Sequence, residues 1–136
     1  MARSLVRVSI AAGITLIVAA CGGGGPTVVT AALTEFSITL DMSTVPAGDV
    51  DFKITNGGTI VHEFVVLDTD TPAANLTVTG TTVSEDGLDV VDEVEDIAVG
   101  GTPTLSLDGL AAGHYAIICN VDGHYQGGMH TDLTVQ

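Results

Sequence analysis

Residues 35–58, EFSITLDMSTVPAGDVDFKITNGG, decide the fold class. Phe36, Ile38 and Leu40 alternate with Ser37 and Thr39, and Val50, Phe52 and Ile54 alternate again after the turn at Pro46-Ala47-Gly48. A period of two puts successive side chains on opposite faces of an extended strand. Asn56-Gly57-Gly58 then breaks the chain before the next apolar run. Read outward from here, the candidate strands are 27–33, 35–41, 50–55, 61–67, 102–107, 114–119 and 130–135. Short strands at this density, with no sustained helical period, predict an all-β domain: a two-sheet antiparallel Greek-key sandwich over residues 27–136.

One long connection interrupts the pattern, residues 68–101. Its 85–96 segment, EDGLDVVDEVED, holds seven acids and no base. Leu88, Val91, Val94 and Ile97 fall at a spacing of three, which permits a helical turn, although Gly87 and the valines disfavour one. The reading preferred here is a solvated acidic flap over one edge of the sandwich, rather than a dedicated docking site.

Charge excludes one class of partner. The chain has 136 residues, 17 acids and 3 Lys plus Arg, for a formal net charge of −14. Two of the three bases are Arg3 and Arg7, which leaves Lys53 alone in the body of the chain. A phosphate-backbone binder needs clustered bases, so nucleic acid is not a partner.

Arg3 and Arg7 precede an apolar stretch at 8–20, too short to span a bilayer comfortably and suited to a signal peptide. It ends in Val18-Ala19-Ala20-Cys21, followed by four glycines and Pro26. These residues resemble the lipobox of bacterial lipoproteins. That resemblance implies a leader at 1–20, a lipid on Cys21, a glycine-rich tether at 21–26, and a domain held outside the cytoplasm on a bacterial membrane, on its periplasmic or cell-surface side. A disulfide between Cys21 and Cys119 is the alternative use of the two cysteines; lipid on Cys21 leaves Cys119 unpaired.

The segment around Cys119 carries metal-ligand chemistry. A thiol, an imidazole and a thioether lie in Cys119-x4-His124-x4-Met129, with glycines at 123, 127 and 128 that let the chain fold back. Soft sulfur donors with imidazole suit copper, and a His2Cys set with a weak axial Met is the electron-transfer arrangement. Strand parity supplies the second imidazole. His62 shares a face with Phe64 and Val66, Cys119 with Ile117 and Tyr115, and Met129 with Leu133 and Val135, so all point to the apolar side of their strands. His114 and His130 fall on the other faces, His130 beside Asp132, and read as ordinary surface histidines.

Residues 113–135, GHYAIICNVDGHYQGGMHTDLTV, resemble the ligand loop and last two strands of the small blue (type 1) copper proteins, the cupredoxins. Residues 56–66, NGGTIVHEFVV, resemble the strand that carries their first histidine. The C-x4-H-x4-M spacing is closer to sulfocyanin-like and other plastocyanin/azurin-type proteins than to plastocyanin or azurin themselves. The resemblance implies one type 1 copper per chain, held by His62, Cys119, His124 and Met129. It also implies a tyrosine corner at Tyr115, a Glu63 amide donating to the Cys119 sulfur with Asn120 beside it, and His124 as the electron exit.

The expected function is that of a lipid-anchored carrier passing single electrons between redox partners, with a basic cytochrome face as the kind of partner that the acidic charge suits. All four positions around the metal come from protein and none is open to substrate, so an enzyme is not expected. Copper delivery or buffering is the alternative, disfavoured by a total of only three Met. A metal-free surface interaction module is the second alternative.

Overall fold

The computed structural model describes residues 24–136. The stretch expected to be a leader, 1–20, and the expected lipid site at Cys21 lie outside the described residues. Among the described residues eleven strands run in chain order: β1 (Thr27–Thr34), β2 (Ser37–Leu40), β3 (Thr44–Val45), β4 (Gly48–Asn56), β5 (His62–Asp68), β6 (Val78–Thr79), β7 (Thr82–Val83), β8 (Asp89–Ile97), β9 (Thr104–Leu110), β10 (Gly113–Ile118) and β11 (His130–Val135). A single 3-10 turn, Ala73–Asn75, lies between β5 and β6. Two sheets form the sandwich, in the orders β2-β1-β4-β9 and β3-β11-β10-β5-β8, with β6-β7 as a separate hairpin. Most pairs are antiparallel, as expected. Two are parallel: β1 with β4, starting at Thr27↔Val50, and β3 with β11, at Thr134↔Thr44.

Alternation builds the core. Val29, Ala31 and Leu33 of β1 and Val50, Phe52 and Ile54 of β4 are buried against Phe64, Val66, Ile117 and Leu133 of the facing sheet. Phe52 and Phe64 meet across it, ring centroids 5.2 Å apart. Burying each such ring contributes about 1.5–3 kcal/mol. Tyr115 donates its hydroxyl to the Ala111 carbonyl at 2.9 Å, the tyrosine corner anticipated above.

The long connection departs from expectation in both halves. Its first half folds onto the outer face of the second sheet, where Ala73, Leu76 and Val83 cover Val65, Leu67, Ala116 and Ile118 in a second apolar cluster. Strand β5 is therefore buried on both faces. Its second half is neither a flap nor a helical turn but β8, an edge strand paired with β5. Val90, Val91 and Val94 favour the pleated conformation, and the acids point mostly to water, as edge strands require. Bulges interrupt the pairing beside His62 and after Val66; in the first, Asp96 takes a left-handed φ of 51°. Residues 35–41 are also not one strand. Glu35 and Phe36 form a two-residue turn between Thr34 and Ser37, with Phe36 at φ 60° and half exposed rather than on the inward face.

Candidate metal centre

Strands β5 and β10 are hydrogen-bonded neighbours, and the 119–129 loop leaves β10 at the same end of the sandwich at which β5 begins. His62 is the first residue of β5. The turn before it is built on Asn56, a fully buried side chain whose Nδ2 donates to the Ile60 and Ile97 carbonyls, both at 2.8 Å, while its Oδ1 accepts the Gly58 amide at 2.9 Å. The loop at 119–129 is closed by its own backbone: the Cys119 amide donates to the Met129 carbonyl at 3.0 Å and the Met129 amide to the His124 carbonyl at 3.1 Å. Gly127 permits this closure against the Phe36 ring, since a Cβ there would fall 2.5 Å from Phe36 Cδ1.

His62, Cys119 and His124 come together, all buried. Both histidines present Nδ1. The two Nδ1 atoms are 3.2 Å apart, and Cys119 Sγ lies 3.4 Å from that of His124 and 3.9 Å from that of His62. A triangle with these edges has a centre about 2 Å from each corner, close to metal–imidazole and metal–thiolate bond lengths. Met129 is fully buried beside them, anchored by backbone to two of the three. Two imidazole nitrogens, a thiol sulfur and a buried thioether fit copper.

The surroundings act oppositely on the two kinds of donor. The Glu63 amide donates to Cys119 Sγ at 3.2 Å, as the resemblance implied. Burial holds the Cys119 thiol above its ordinary pKa; the Glu63 and Val121 amides offset only part of this and the Glu63 carboxylate adds to it, so the thiolate is favoured only when a metal displaces the proton. Burial first, then the neighbouring His124 ring, pull the pKa of His62 down, which favours its neutral form. Asn120 does not reach the sulfur. Its amide instead clasps Val83, accepting the backbone N–H at 2.7 Å and donating to the carbonyl at 3.2 Å, and so ties the ligand loop to β7.

His114 and His130 stand apart from the cluster, but the pairing differs from expectation. It is His114, on β10, that donates to Asp132 at 2.9 Å, while the His130 ring packs at a tilt against Tyr125 with centroids 5.0 Å apart. Two neighbours of the site went unread in the sequence, Glu35 and Phe36. The Phe36 ring meets His124 edge-on at 5.6 Å, and Glu35 Oε1 lies 4.0 Å from His62 Nε2. Nothing in a two-residue Glu-Phe turn announces either contact, because no Gly or Asn marks the positive φ.

Among the described residues, no helix is long and apolar enough to cross a membrane. Comparison with curated proteins gives no match. Among solved structures, the chain is similar to a dithionite-reduced auracyanin from the photosynthetic bacterium Roseiflexus castenholzii, with 24% identity, a TM-score of 0.62, and coverage of 83% of this chain and 99% of that one. It is similar also to auracyanin A, a "blue" copper protein from Chloroflexus aurantiacus, at 23% identity and TM-score 0.57, covering 82% and 100%. Rusticyanin from Thiobacillus ferrooxidans follows at 23% identity and TM-score 0.57, covering 83% and 79%. These likenesses are of fold. The family model for the sulfocyanin (SoxE) domain matches residues 28–136. On that match, which takes in nearly the whole sandwich, the chain belongs to the sulfocyanin domain family, among the blue copper cupredoxins.

Proposed function

We propose that this chain is a one-electron carrier with a single type 1 copper held by His62, Cys119, His124 and Met129. The observation that supports it most directly is the buried Nδ1–Nδ1–Sγ triangle, with edges of 3.2, 3.4 and 3.9 Å. Bound copper supplies the Cu(I)/Cu(II) couple. The chain's own residues supply a fixed frame. Both imidazoles come from backbone locked by Asn56 and by the 119–129 hydrogen bonds, so the donors have little freedom to move when an electron arrives. The Glu63 amide tempers the charge on the thiolate. His124 is 6% exposed against 0% for His62, which favours His124, with Phe36 over it, as the route to a partner.

Full burial of Cys119, His62 and Met129 favours retention over exchange, and so a carrier over a delivery or buffering protein. By the lipobox-like residues, we assign 1–20 to a leader, Cys21 to lipid attachment and 21–26 to a tether, placing the 27–136 domain outside the cytoplasm. The net charge of −14 favours a partner with a basic face, such as a cytochrome. The test is the visible spectrum of the full chain with Cu(II). We expect an intense thiolate-to-copper band, bleached reversibly by ascorbate and absent from Cys119→Ser. A band that survives in the serine variant would sink the assignment.

A further inference from the structure

His62 has a second ring nitrogen, and its situation is unusual. Among the described residues, His62 Nε2 is the one buried side-chain nitrogen or oxygen without a hydrogen-bond partner. With Nδ1 turned to the donor triangle as a lone pair, the proton of the neutral imidazole must sit on Nε2. A ligating histidine generally donates that proton to a carboxylate or carbonyl. The charged group facing it here is Glu35, in the β1–β2 turn of the opposite sheet, with Oε1 at 4.0 Å.

Glu35 is held there. The same Oε1 accepts from the Thr59 amide, from Thr59 Oγ1 at 3.1 Å and from the Ile60 amide at 3.2 Å, three donors in the turn that leads into His62. All three are hydrogen bonds that favour a carboxylate over a neutral acid. Gly58 leaves the space between the two groups clear: a Cβ at that position would fall 2.6 Å from Glu35 Oε1 and 2.9 Å from His62 Nε2. The Glu35 side chain is one-third exposed, which leaves it room to shift toward the ring.

We propose that Glu35 is a positioning residue of the copper centre, whose carboxylate accepts the Nε2–H of His62 in the metal-loaded protein and biases the couple toward Cu(II). The inference rests on the copper reading above. A carboxylate behind an imidazole makes it a more basic ligand, and a negative charge close to the metal favours its higher oxidation state. The reduction potential is therefore lower with Glu35 than without it.

The test compares the copper-loaded full chain with Glu35→Gln and Glu35→Ala, by voltammetry and by pulsed EPR of the remote imidazole nitrogens. Glutamine keeps an oxygen acceptor for Thr59 and Ile60 and removes only the charge. In Glu35→Gln we expect the blue band to persist and the Cu(II)-to-Cu(I) affinity ratio to fall about tenfold, a rise in potential of about 59 mV. One of the two remote-nitrogen signals should change, and the other should not. Glu35→Ala should change the same signal and raise the potential at least as far. Equal potentials and unchanged nitrogen couplings in both variants would overturn the proposal. A raised potential with unchanged couplings would overturn it too, because Glu35 would then be a distant charge and not an acceptor. A wild-type chain with no blue band would instead remove the copper reading beneath it.

Discussion

His114 makes two hydrogen bonds that a neutral imidazole cannot make together. Nδ1 faces the Thr69 carbonyl and Nε2 faces the Asp132 carboxylate, at 2.9 Å, and both oxygens can only accept. Only a ring protonated on both nitrogens can donate to both, so this setting favours the imidazolium. The Thr69 carbonyl first, then Asp132 and Asp70, raise its pKa in spite of partial burial. A pKa raised by folding contributes stability that is complete below the unfolded value, about 6.5, and is lost as pH rises through the folded value. We therefore expect His114→Gln to lower the Tm of the copper-free chain at about pH 5.5, with the gap from wild type narrowing towards about pH 8.5. A gap independent of pH would mean that only packing is lost. The parity of β10 was legible and put His114 away from Cys119. Its partner was not, because Asp132 also accepts the Ala73 amide and belongs to a corner that forms only when the 69–75 segment folds over the sheet.

The 56–62 turn is the element on which the site depends most. Its sequence, Asn-Gly-Gly, announces a chain break, and a break it is. The sequence does not announce that Asn56 points inward and bonds three backbone groups, one of them the Ile97 carbonyl of β8. Asn56→Ala strands those groups in a buried place, at about 1–3 kcal/mol for each left unsatisfied. We expect a loss of at least about 2 kcal/mol in denaturant unfolding of the copper-free chain, together with weaker copper retention, since His62 is the residue that the turn delivers. Unchanged stability would mean that water replaces the amide. Strand β8 makes a complementary point. Val94 and Ile97 face the main core although they are three residues apart, because a bulge lies between them, while Leu88 joins the outer cluster and Val91 is exposed, so period alone misreads the segment.

Charge is a property of the whole molecule. Seven of the acids fall in 85–96, and β8 sets its share of them along one exposed edge of the second sheet, where Glu93 and Glu95 surround the half-buried Glu63. That edge resists pairing with other strands and gives the domain a lopsided negative field. If the field steers a basic partner, the bimolecular electron-transfer rate should fall about tenfold or more from low to moderate salt. A flat profile would leave the charge with a role in solubility alone.

The residues by themselves determined the sandwich, the chemistry of the donors and the end of the strands at which they meet. Period-two alternation is local, parity follows from it, and thiol, imidazole and thioether keep their metal preferences in any fold. Only the tertiary structure decided that the acidic stretch is a strand, that β1 and β4 run parallel, and that Glu35 and Phe36 stand over the two histidines. Each of those depends on which segments pack side by side once both sheets close. For β8 that depends on the burial of β5 on two faces and on the bulges between the two strands, and neither is written in the pattern of any one segment.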